Sequence, residues 1–400
     1  MLDGTRHSRF DLQNRLERHF AAARRKQIGI GLWIDGQTSF ATLADAPDRG
    51  VRNADRLFPA GCLSKLFTAA LIDQAVQERE LDIDGPLGEQ LLASKHGTLF
   101  RGQTVRQLLE HTHGCDDALL KRAHLRRDGR IDLERLIPGL EQRVAPPGAL
   151  YSYSNVGPWL AACLLEQLRG RSYARQLERR LFAPLGMRLC SPDGICASLG
   201  GRLVVSLGDM LRFLRGQLDG TFWHEPPRIV PLPGWNPLEL GVYRGWKYYG
   251  RGWFGHQSVW PGASSLVRLH PELRIAMVVA SRDQAAPLVA LRLFARQLPG
   301  FVPRVAPRVL ASRAAMRLDP AAAAACYGSA AQHVAVVARD ASMTLSCAGK
   351  EHTLQAAERN LFYTRPPALR QFPYVQFLHP GRRGYRHLWN GQRVFRRIGP

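Results

Sequence analysis

The pattern of apolar and polar positions predicts both strands and helices in the first three quarters of the chain. Residues 28–33 and 39–43 alternate like two strands around Asp35-Gly36, a dipeptide typical of hairpin turns. Residues 8–25 carry apolar side chains at roughly helical spacing and predict an amphipathic N-terminal helix. Further helices are predicted at 62–80, 105–110, 156–168, 173–182, 205–219 and 287–298, and further strands at 264–269 and 275–280.

This order of elements indicates an α+β fold. We expect an antiparallel sheet flanked by helices, with a helical subdomain inserted between the first and the later strands. The stretch 221–252 is rich in Pro, Gly and Trp and is predicted to be irregular. The tryptophans of residues 221–260 either line an apolar pocket or belong to the core.

The last quarter of the chain has a different pattern. Residues 303–325 are rich in Pro, Ala and Arg and are interpreted as a linker. Short strand-like runs follow at 334–337, 343–346, 361–364, 375–378, 385–389 and 394–397. We therefore expect a domain at 1–302, a linker at 303–325 and a small all-β, barrel-like domain at 326–400.

Charge separates the last quarter further from the rest. The formal net charge is +22, and residues 301–400 supply +11 of it, with 14 Arg and one Lys against four acids. Such a surface either attracts a polyanion or is simply a solvated, arginine-rich face. No zinc finger or helix-turn-helix with a basic stripe accompanies it, so nucleic-acid binding is not expected.

The N-terminal thirty residues contain neither an apolar signal-peptide core nor a stretch long enough to span a bilayer. The seven cysteines are odd in number, and no histidine joins the close pair Cys190 and Cys196 in a zinc pattern. These features predict a cytoplasmic protein with reduced thiols, no membrane span, no cofactor and no metal site.

One short motif carries candidate chemistry. Gly61-Cys62-Leu63-Ser64-Lys65 opens a predicted helix, and residues three apart share one helix face, so Cys62 and Lys65 point the same way. A cysteine at a helix N-terminus beside a lysine has two reasons to ionise easily. The alternative is a small core residue beside a lysine whose stem is buried.

Several segments in their order along the chain resemble the serine β-lactamase-like family, namely class C β-lactamases and related penicillin-binding-protein-like esterases. FPAGCLSKLFTAALIDQAV is similar to the catalytic helix with its S-x-x-K box, with Cys62 in place of the serine. Tyr153-Ser154-Asn155 matches the Y-x-N motif, and His256-Gln257-Ser258 stands at the third motif. The resemblance covers roughly residues 28–300. The C-terminal part more weakly resembles a lipocalin-like domain.

The resemblance implies catalytic roles for four residues. Cys62 would attack an acyl carbonyl, Lys65 would activate or support it, and Tyr153 would transfer protons. His256 would orient Tyr153 or a substrate carboxylate from the opposite wall of the cleft. Backbone N–H groups of Cys62 and of the strand near Ser258 would hold the oxyanion.

The same resemblance assigns Asn155, Gln257 and Ser258 to substrate binding, with Asn155 holding either the substrate or Lys65. Ser258 departs from the family, which usually has glycine there.

Replacing serine by Cys62 changes the expected chemistry. A thiol is intrinsically nucleophilic and partly ionised, and its acyl intermediate is a thioester. This favours a hydrolase or acyltransferase acting on an ester, thioester or amide, with a small-molecule or carrier-bound acyl substrate. A coenzyme A thioester or an acidic carrier protein is the expected donor. The alternative is a catalytically inactive homologue that serves as a binding or scaffold protein.

Overall fold

The structure is a computed structural model of the 400-residue chain. It describes residues 12–20, 27–43, 52–91, 100–116, 126, 130–136, 143–188, 203–220, 227–233, 235, 239–260, 262–282, 293–294, 298, 318–329, 332–339, 342–357, 361–365, 374–382, 384–390 and 392–399.

The helices are α1 (Leu12–Phe20), α2 (Ser64–Gln77), α3 (Leu87–Gln90), α4 (Val105–Leu109), α5 (Leu133–Leu136), α6 (Val156–Arg169), α7 (Tyr173–Gln176), α8 (Leu207–Asp219) and α9 (Pro320–Ala323). A π-helical segment, Leu177–Phe182, continues α7, and 3₁₀ turns lie at Asn53–Asp55 and Gly61–Leu63.

The strands are β1 (Ile28–Ile34), β2 (Gln37–Leu43), β3 (Leu57–Pro59), β4 (Val204–Ser206), β5 (Val230–Pro231), β6 (Gly241–Tyr243), β7 (Trp246–Tyr248), β8 (Phe254–Trp260), β9 (Ala263–His270), β10 (Ile275–Ser281), β11 (Ala325–Gly328), β12 (His333–Arg339), β13 (Ser342–Cys347), β14 (Lys350–Ala356), β15 (Leu361–Arg365), β16 (Tyr374–Gly381), β17 (Gly384–Trp389) and β18 (Val394–Gly399).

The chain forms two compact units, each built from separate stretches of sequence. The first unit comprises residues 1–77, 171–228 and 246–303. The second comprises residues 78–170, 229–245 and 304–400.

An antiparallel sheet is the framework of the first unit, with strand order β2-β1-β10-β9-β8-β7. The hairpin of β1 and β2 is confirmed, and its turn residues Asp35 and Gly36 both have positive φ, as a two-residue hairpin turn requires. Strands β9 and β10 are confirmed as well, and they pair in register from His270 opposite Ile275 to Ser264 opposite Ser281.

Two contacts join helices to this sheet and to one another. A side chain on Gly29 would approach Leu207 of α8 to 2.7 Å, so the glycine lets α8 lie directly on β1. Helix α2 is buried on most sides. The ring of Phe67 packs edge-on against the rings of Phe182 and Phe213, with centroid separations of 5.2 Å and 4.7 Å. Apolar packing therefore fixes the start of α2 relative to the sheet.

Helices form the first part of the second unit. Helix α4 begins with a capping box, in which Thr104 accepts from the Gln107 N–H and the Gln107 side chain accepts from the Thr104 N–H. Helix α6 packs on α4 so closely that a side chain on Gly157 would clash with the Leu108 carbonyl oxygen. The strands β5 and β6 pair as an antiparallel hairpin.

The second unit also contains a closed antiparallel barrel of eight strands, β11 to β18, each paired with its neighbour in sequence. Alternate side chains along β12 and β13 point into the barrel, as the period-2 pattern predicted. The barrel interior is apolar, with Tyr327, Leu388 and Phe395 fully buried. The C-terminal all-β domain expected from the sequence is thus confirmed as a barrel.

Several predicted boundaries differ from the structure. Residues 205–206, expected to start a helix, lie in β4 because they pair with β3, and α8 begins at Leu207, two residues later than predicted. The stretch 221–252, expected to be irregular, contains β5, β6 and β7. The sequence also missed β11 and β14 of the barrel.

Two predicted helices fall largely outside the described residues: 8–25 is described as a helix over Leu12–Phe20 only, and 287–298 only at residues 293, 294 and 298. No helix in the described ranges has both the length and the apolar character needed to cross a bilayer.

A buried carboxyl in the second unit gives a testable pH dependence. Burial raises the pKa of Glu110 from 4.5 to about 7, against the lowering effect of Arg106 and Arg244. Between these pH values the folded chain keeps a proton that the unfolded chain releases, so the free energy of unfolding should fall as pH rises from 4.5 to 7, by about 3 kcal/mol at most.

Denaturant unfolding at pH 4.5, 5.5 and 7 measures this slope. In Glu110→Gln it should be reduced, whereas Glu89→Gln, at an exposed carboxylate, should keep it. An identical slope in Glu110→Gln and the original chain would contradict the assignment.

Candidate active site

Cys62 lies on a tight turn that leads into α2. Gly61 has φ +51°, a conformation that favours glycine, and the 3₁₀ turn Gly61–Leu63 passes directly into the first turn of α2. The Ala60 N–H donates to the Leu203 carbonyl oxygen at 2.7 Å and ties the turn down. The Cys62 side chain is partly exposed, whereas that of Lys65, one turn further on, is buried.

Lys247, on β7, is a second buried ammonium near Cys62. The pKa of Lys247 is lowered from 10.5 to about 8. Burial is the largest cause, Cys62 acts against it, and Arg268 and Lys65 add to the lowering. The effect of Cys62 on Lys247 is reciprocal, because the ammonium that a thiolate stabilises also favours that thiolate. The site therefore concentrates positive charge beside the Cys62 thiol.

His256, on β8, is fully buried in the same region. Burial, with further contributions from Lys247 and Lys65, holds the pKa of His256 well below its ordinary value, so the ring is neutral at pH 7. Its Nδ1 lies 2.9 Å from the backbone nitrogen of Gln257 and 3.0 Å from that residue's carbonyl oxygen, and these contacts fix the ring. A neutral imidazole provides hydrogen bonds here, and the positive charge comes from the lysines.

Ser258 makes a contact that bears on the expected oxyanion site. The Cys62 N–H donates to the Ser258 hydroxyl at 3.0 Å, and the Ser258 side chain is buried. The sequence predicted that this N–H would face an acyl oxygen. In this structure the Cys62 N–H instead donates to the hydroxyl oxygen of Ser258.

Tyr153 belongs to the second unit and lies in the extended segment that precedes α6. Its N–H donates to the Gln392 carbonyl oxygen at 2.8 Å, in the turn between β17 and β18 of the barrel. The ring of Tyr153 lies 4.6 Å from that of His111, whose Nδ1 accepts from the Ser154 N–H. The barrel and the His111 loop together hold the backbone and ring of Tyr153.

The neighbours of Tyr153 are held in the same way. The Ser152 hydroxyl accepts from the Val394 N–H at 3.1 Å, so a second bond links this segment to the barrel. Asn155 is partly buried and directly precedes α6, and the Ser154 hydroxyl accepts from the Val156 N–H at 3.0 Å.

The structure thus groups the predicted residues in two sets. Cys62, Lys65, His256, Gln257 and Ser258 lie in the first unit, and Tyr153 and Asn155 in the second. Their catalytic and binding roles stay predictions.

Sequence reasoning missed Lys247. The signal for Lys247 was a lysine between two aromatic residues in a chain with few lysines. The tryptophans of residues 221–260 were expected either to line an apolar pocket or to belong to the core. Two of them, Trp246 and Trp253, are fully buried.

In the described part of the chain, no group of three His, Cys, Asp or Glu side chains is arranged to hold a metal ion.

The Beta-lactamase family profile matches residues 13–298. The chain belongs to the Beta-lactamase family. The resemblance inferred from the three motifs and the predicted fold class are both confirmed.

Two curated relatives show the range of this family. Penicillin-binding protein 4 of Amycolatopsis lactamdurans is 26% identical over 329 residues, which cover 68% of this chain and 84% of that protein. A D-aminopeptidase of Brucella canis is 30% identical over 150 residues, which cover 36% of this chain and 28% of the relative. The family to which this chain belongs thus includes hydrolases.

Solved structures extend the likeness to nearly the whole chain. SurE with D-Leu superposes with a TM-score of 0.79 at 25% identity, covering 97% of this chain and 98% of that one. A D-amino acid amidase from Ochrobactrum anthropi SV3 has a TM-score of 0.57 at 20% identity over 71% of this chain and 96% of its own, a likeness of fold.

The reciprocal effect of Lys247 and Cys62 gives a second prediction. In Lys247→Met the loss of the ammonium should reduce the thiolate fraction of Cys62 at pH 7 and slow its alkylation by iodoacetamide by roughly tenfold, the effect of one pH unit. The rate is obtained from the alkylated fraction of the Cys62 peptide, measured by mass spectrometry over time at several pH values.

Lys350→Met removes an exposed lysine of the barrel and serves as the control, with an unchanged rate. If Lys247→Met and Lys350→Met give the same pH profile at Cys62, Lys247 does not act on the thiol.

Proposed function

We propose that this protein is an acyl-enzyme-forming acyltransferase or hydrolase with Cys62 as its nucleophile. The observation that carries the proposal is the partly exposed thiol at the start of α2 with the buried Lys247 beside it. Together with Lys65 one turn away, this lysine favours the thiolate, the form that attacks carbonyl carbon.

In the first half-reaction the Cys62 thiolate attacks a thioester carbonyl. The bond from the acyl carbon to the leaving sulfur breaks, the departing thiolate takes up a proton, and an acyl-Cys62 thioester remains. An amine or water then attacks this thioester and releases an amide or an acid together with the Cys62 thiolate. Exchange between two thiols is nearly balanced in energy, which makes a pantetheine thioester a suitable donor.

The proton carrier in this scheme is Tyr153, and Lys65 with Lys247 stabilises negative charge. Because His256 is neutral, it serves as a hydrogen-bonding group and not as a cation. Asn155 and Gln257 are assigned to the acyl substrate, whereas the Ser258 hydroxyl accepts from the Cys62 N–H. Donors are coenzyme A thioesters or acyl chains on an acidic carrier protein, and the reaction takes place in the cytoplasm.

The acyl group we propose ends in a D-amino acid. Support comes from the relatives, among them a D-aminopeptidase, a D-amino acid amidase and a SurE structure with D-Leu. The preference for the D configuration is tested by comparing D- and L-aminoacyl donors.

The second candidate is an inactive homologue that binds a ligand without reacting. The hydrogen bond from the Cys62 N–H to Ser258 favours it, because a donor already occupied cannot stabilise an oxyanion.

Intact-mass spectrometry distinguishes the two candidates. The protein is incubated with D- and L-aminoacyl pantetheine thioesters, acyl coenzyme A, an activated ester and a β-lactam. We expect one acyl adduct on the Cys62 peptide, with the D-aminoacyl thioester reacting faster, and no adduct in Cys62→Ala. Absence of any adduct while iodoacetamide still modifies Cys62 would favour the binding protein.

The role of Ser258 is tested separately. Removing its hydroxyl in Ser258→Ala should free the Cys62 N–H for the oxyanion and raise the rate of acylation by roughly fivefold, the value of one ordinary hydrogen bond. Acylation rates from quenched-flow mass spectrometry measure this.

Ser264→Ala is the matched control, since Ser264 is a buried serine on the adjacent strand β9 that pairs with Val259. A loss of acylation in Ser258→Ala would show instead that the hydroxyl assists the reaction.

A further inference from the structure

A cationic groove lies within the second unit, between residues 143–147 and the barrel strands β16, β17 and β18. The cavity has a volume of about 840 Å³. Its charged and titratable lining residues are Arg143, Arg382, Tyr385, Arg386, His387, Arg396 and Arg397. No carboxylate is among the described residues that line it.

Neutral groups hold two of these arginines in place. The Arg397 guanidinium donates to the carbonyl oxygens of Ala322 and Ala324, both at 3.2 Å, and Arg396 donates to the carbonyl oxygen of Arg143 at 3.3 Å. Carbonyl oxygens orient a guanidinium but do not neutralise its charge. The groove therefore presents positioned positive charge to a ligand.

The histidine of the groove responds to this charge. Burial lowers the pKa of His387, and His379, Arg396 and Arg386 lower it further, against a hydrogen bond to the Val144 carbonyl oxygen at 2.9 Å. Positive charge thus accumulates on this wall of the barrel, and an anion in the groove would relieve it.

We propose that this groove binds the phosphate ester of the pantetheine arm that carries the acyl substrate. The phosphate of the arm carries one negative charge when it is joined to a carrier serine or to the nucleotide of coenzyme A, and its oxygens accept paired hydrogen bonds from guanidinium groups, which suits several arginines on one concave wall. The cavity has the size of a small-molecule site and not of an extended polymer groove. The identity of the arm rests on the proposed function, whereas phosphate binding can be measured without any reaction.

The groove and the Tyr153 segment share one structural element. The turn that joins β17 to β18 follows the groove residue His387, and its Gln392 carbonyl oxygen accepts from the Tyr153 N–H. A phosphate held on β17 and β18 would therefore be bound on the strands that also hold the Tyr153 backbone.

Isothermal titration calorimetry on the full chain carrying Cys62→Ala tests phosphate binding without acyl transfer. Phosphopantetheine should bind at least about tenfold more tightly than pantetheine, and the difference should shrink as salt rises. In Arg382→Gln/Arg386→Gln, which changes two exposed side chains, phosphopantetheine should lose this advantage. Arg339→Gln, at an exposed arginine on β12, is the matched control and should keep it.

Adenosine 3′,5′-bisphosphate is tested as a competitor of phosphopantetheine. Weak competition supports a site for the phosphate that coenzyme A shares with carrier proteins, whereas competition as strong as that of coenzyme A assigns the groove to the nucleotide end and overturns the proposal. Equal affinity for pantetheine and phosphopantetheine, or unchanged binding in the double variant, would overturn the proposal. Because the binding is measured in Cys62→Ala, a failure here is distinct from a failure of Cys62 to become acylated.

Discussion

A buried ammonium beside a thiol is the constraint on which the first half of the site depends. Burying Lys247 costs free energy, which is why its pKa falls to about 8, and the Cys62 sulfur is the group that acts against this fall. The side chain of Lys65 is buried one turn from the same thiol. A neutral thiol would leave these charges less compensated than a thiolate, so the arrangement favours the ionised form of Cys62.

The barrel is more than an appendage in the second unit. Its last turn accepts the Tyr153 N–H, and the Val394 N–H donates to Ser152, so two backbone positions of the barrel hold the segment expected to transfer protons. Residues on elements held by such bonds keep the geometry that catalysis needs. The cationic wall of the same barrel adds a surface suited to an anionic substrate.

Much of this could be predicted from sequence because it is local. The β1–β2 hairpin follows from Asp35-Gly36, α6 from its apolar period, and Cys62 with Lys65 from their spacing. Strand β14 was missed because its exposed positions are polar and its apolar residues few, and β11 because it is only four residues long. The links from Lys247 and Ser258 to Cys62 arise from strand order in the folded sheet, and no local pattern encodes them.

The central claim is that Cys62 accepts an acyl group, and a rapid-mixing experiment tests it most directly. The protein is mixed with excess D-aminoacyl pantetheine thioester, and the released pantetheine thiol is followed in time. The account predicts a fast release of one equivalent per chain, followed by slower turnover, and no fast phase in Cys62→Ala. A fast phase of equal size in Cys62→Ala, or none in the original chain, would contradict it.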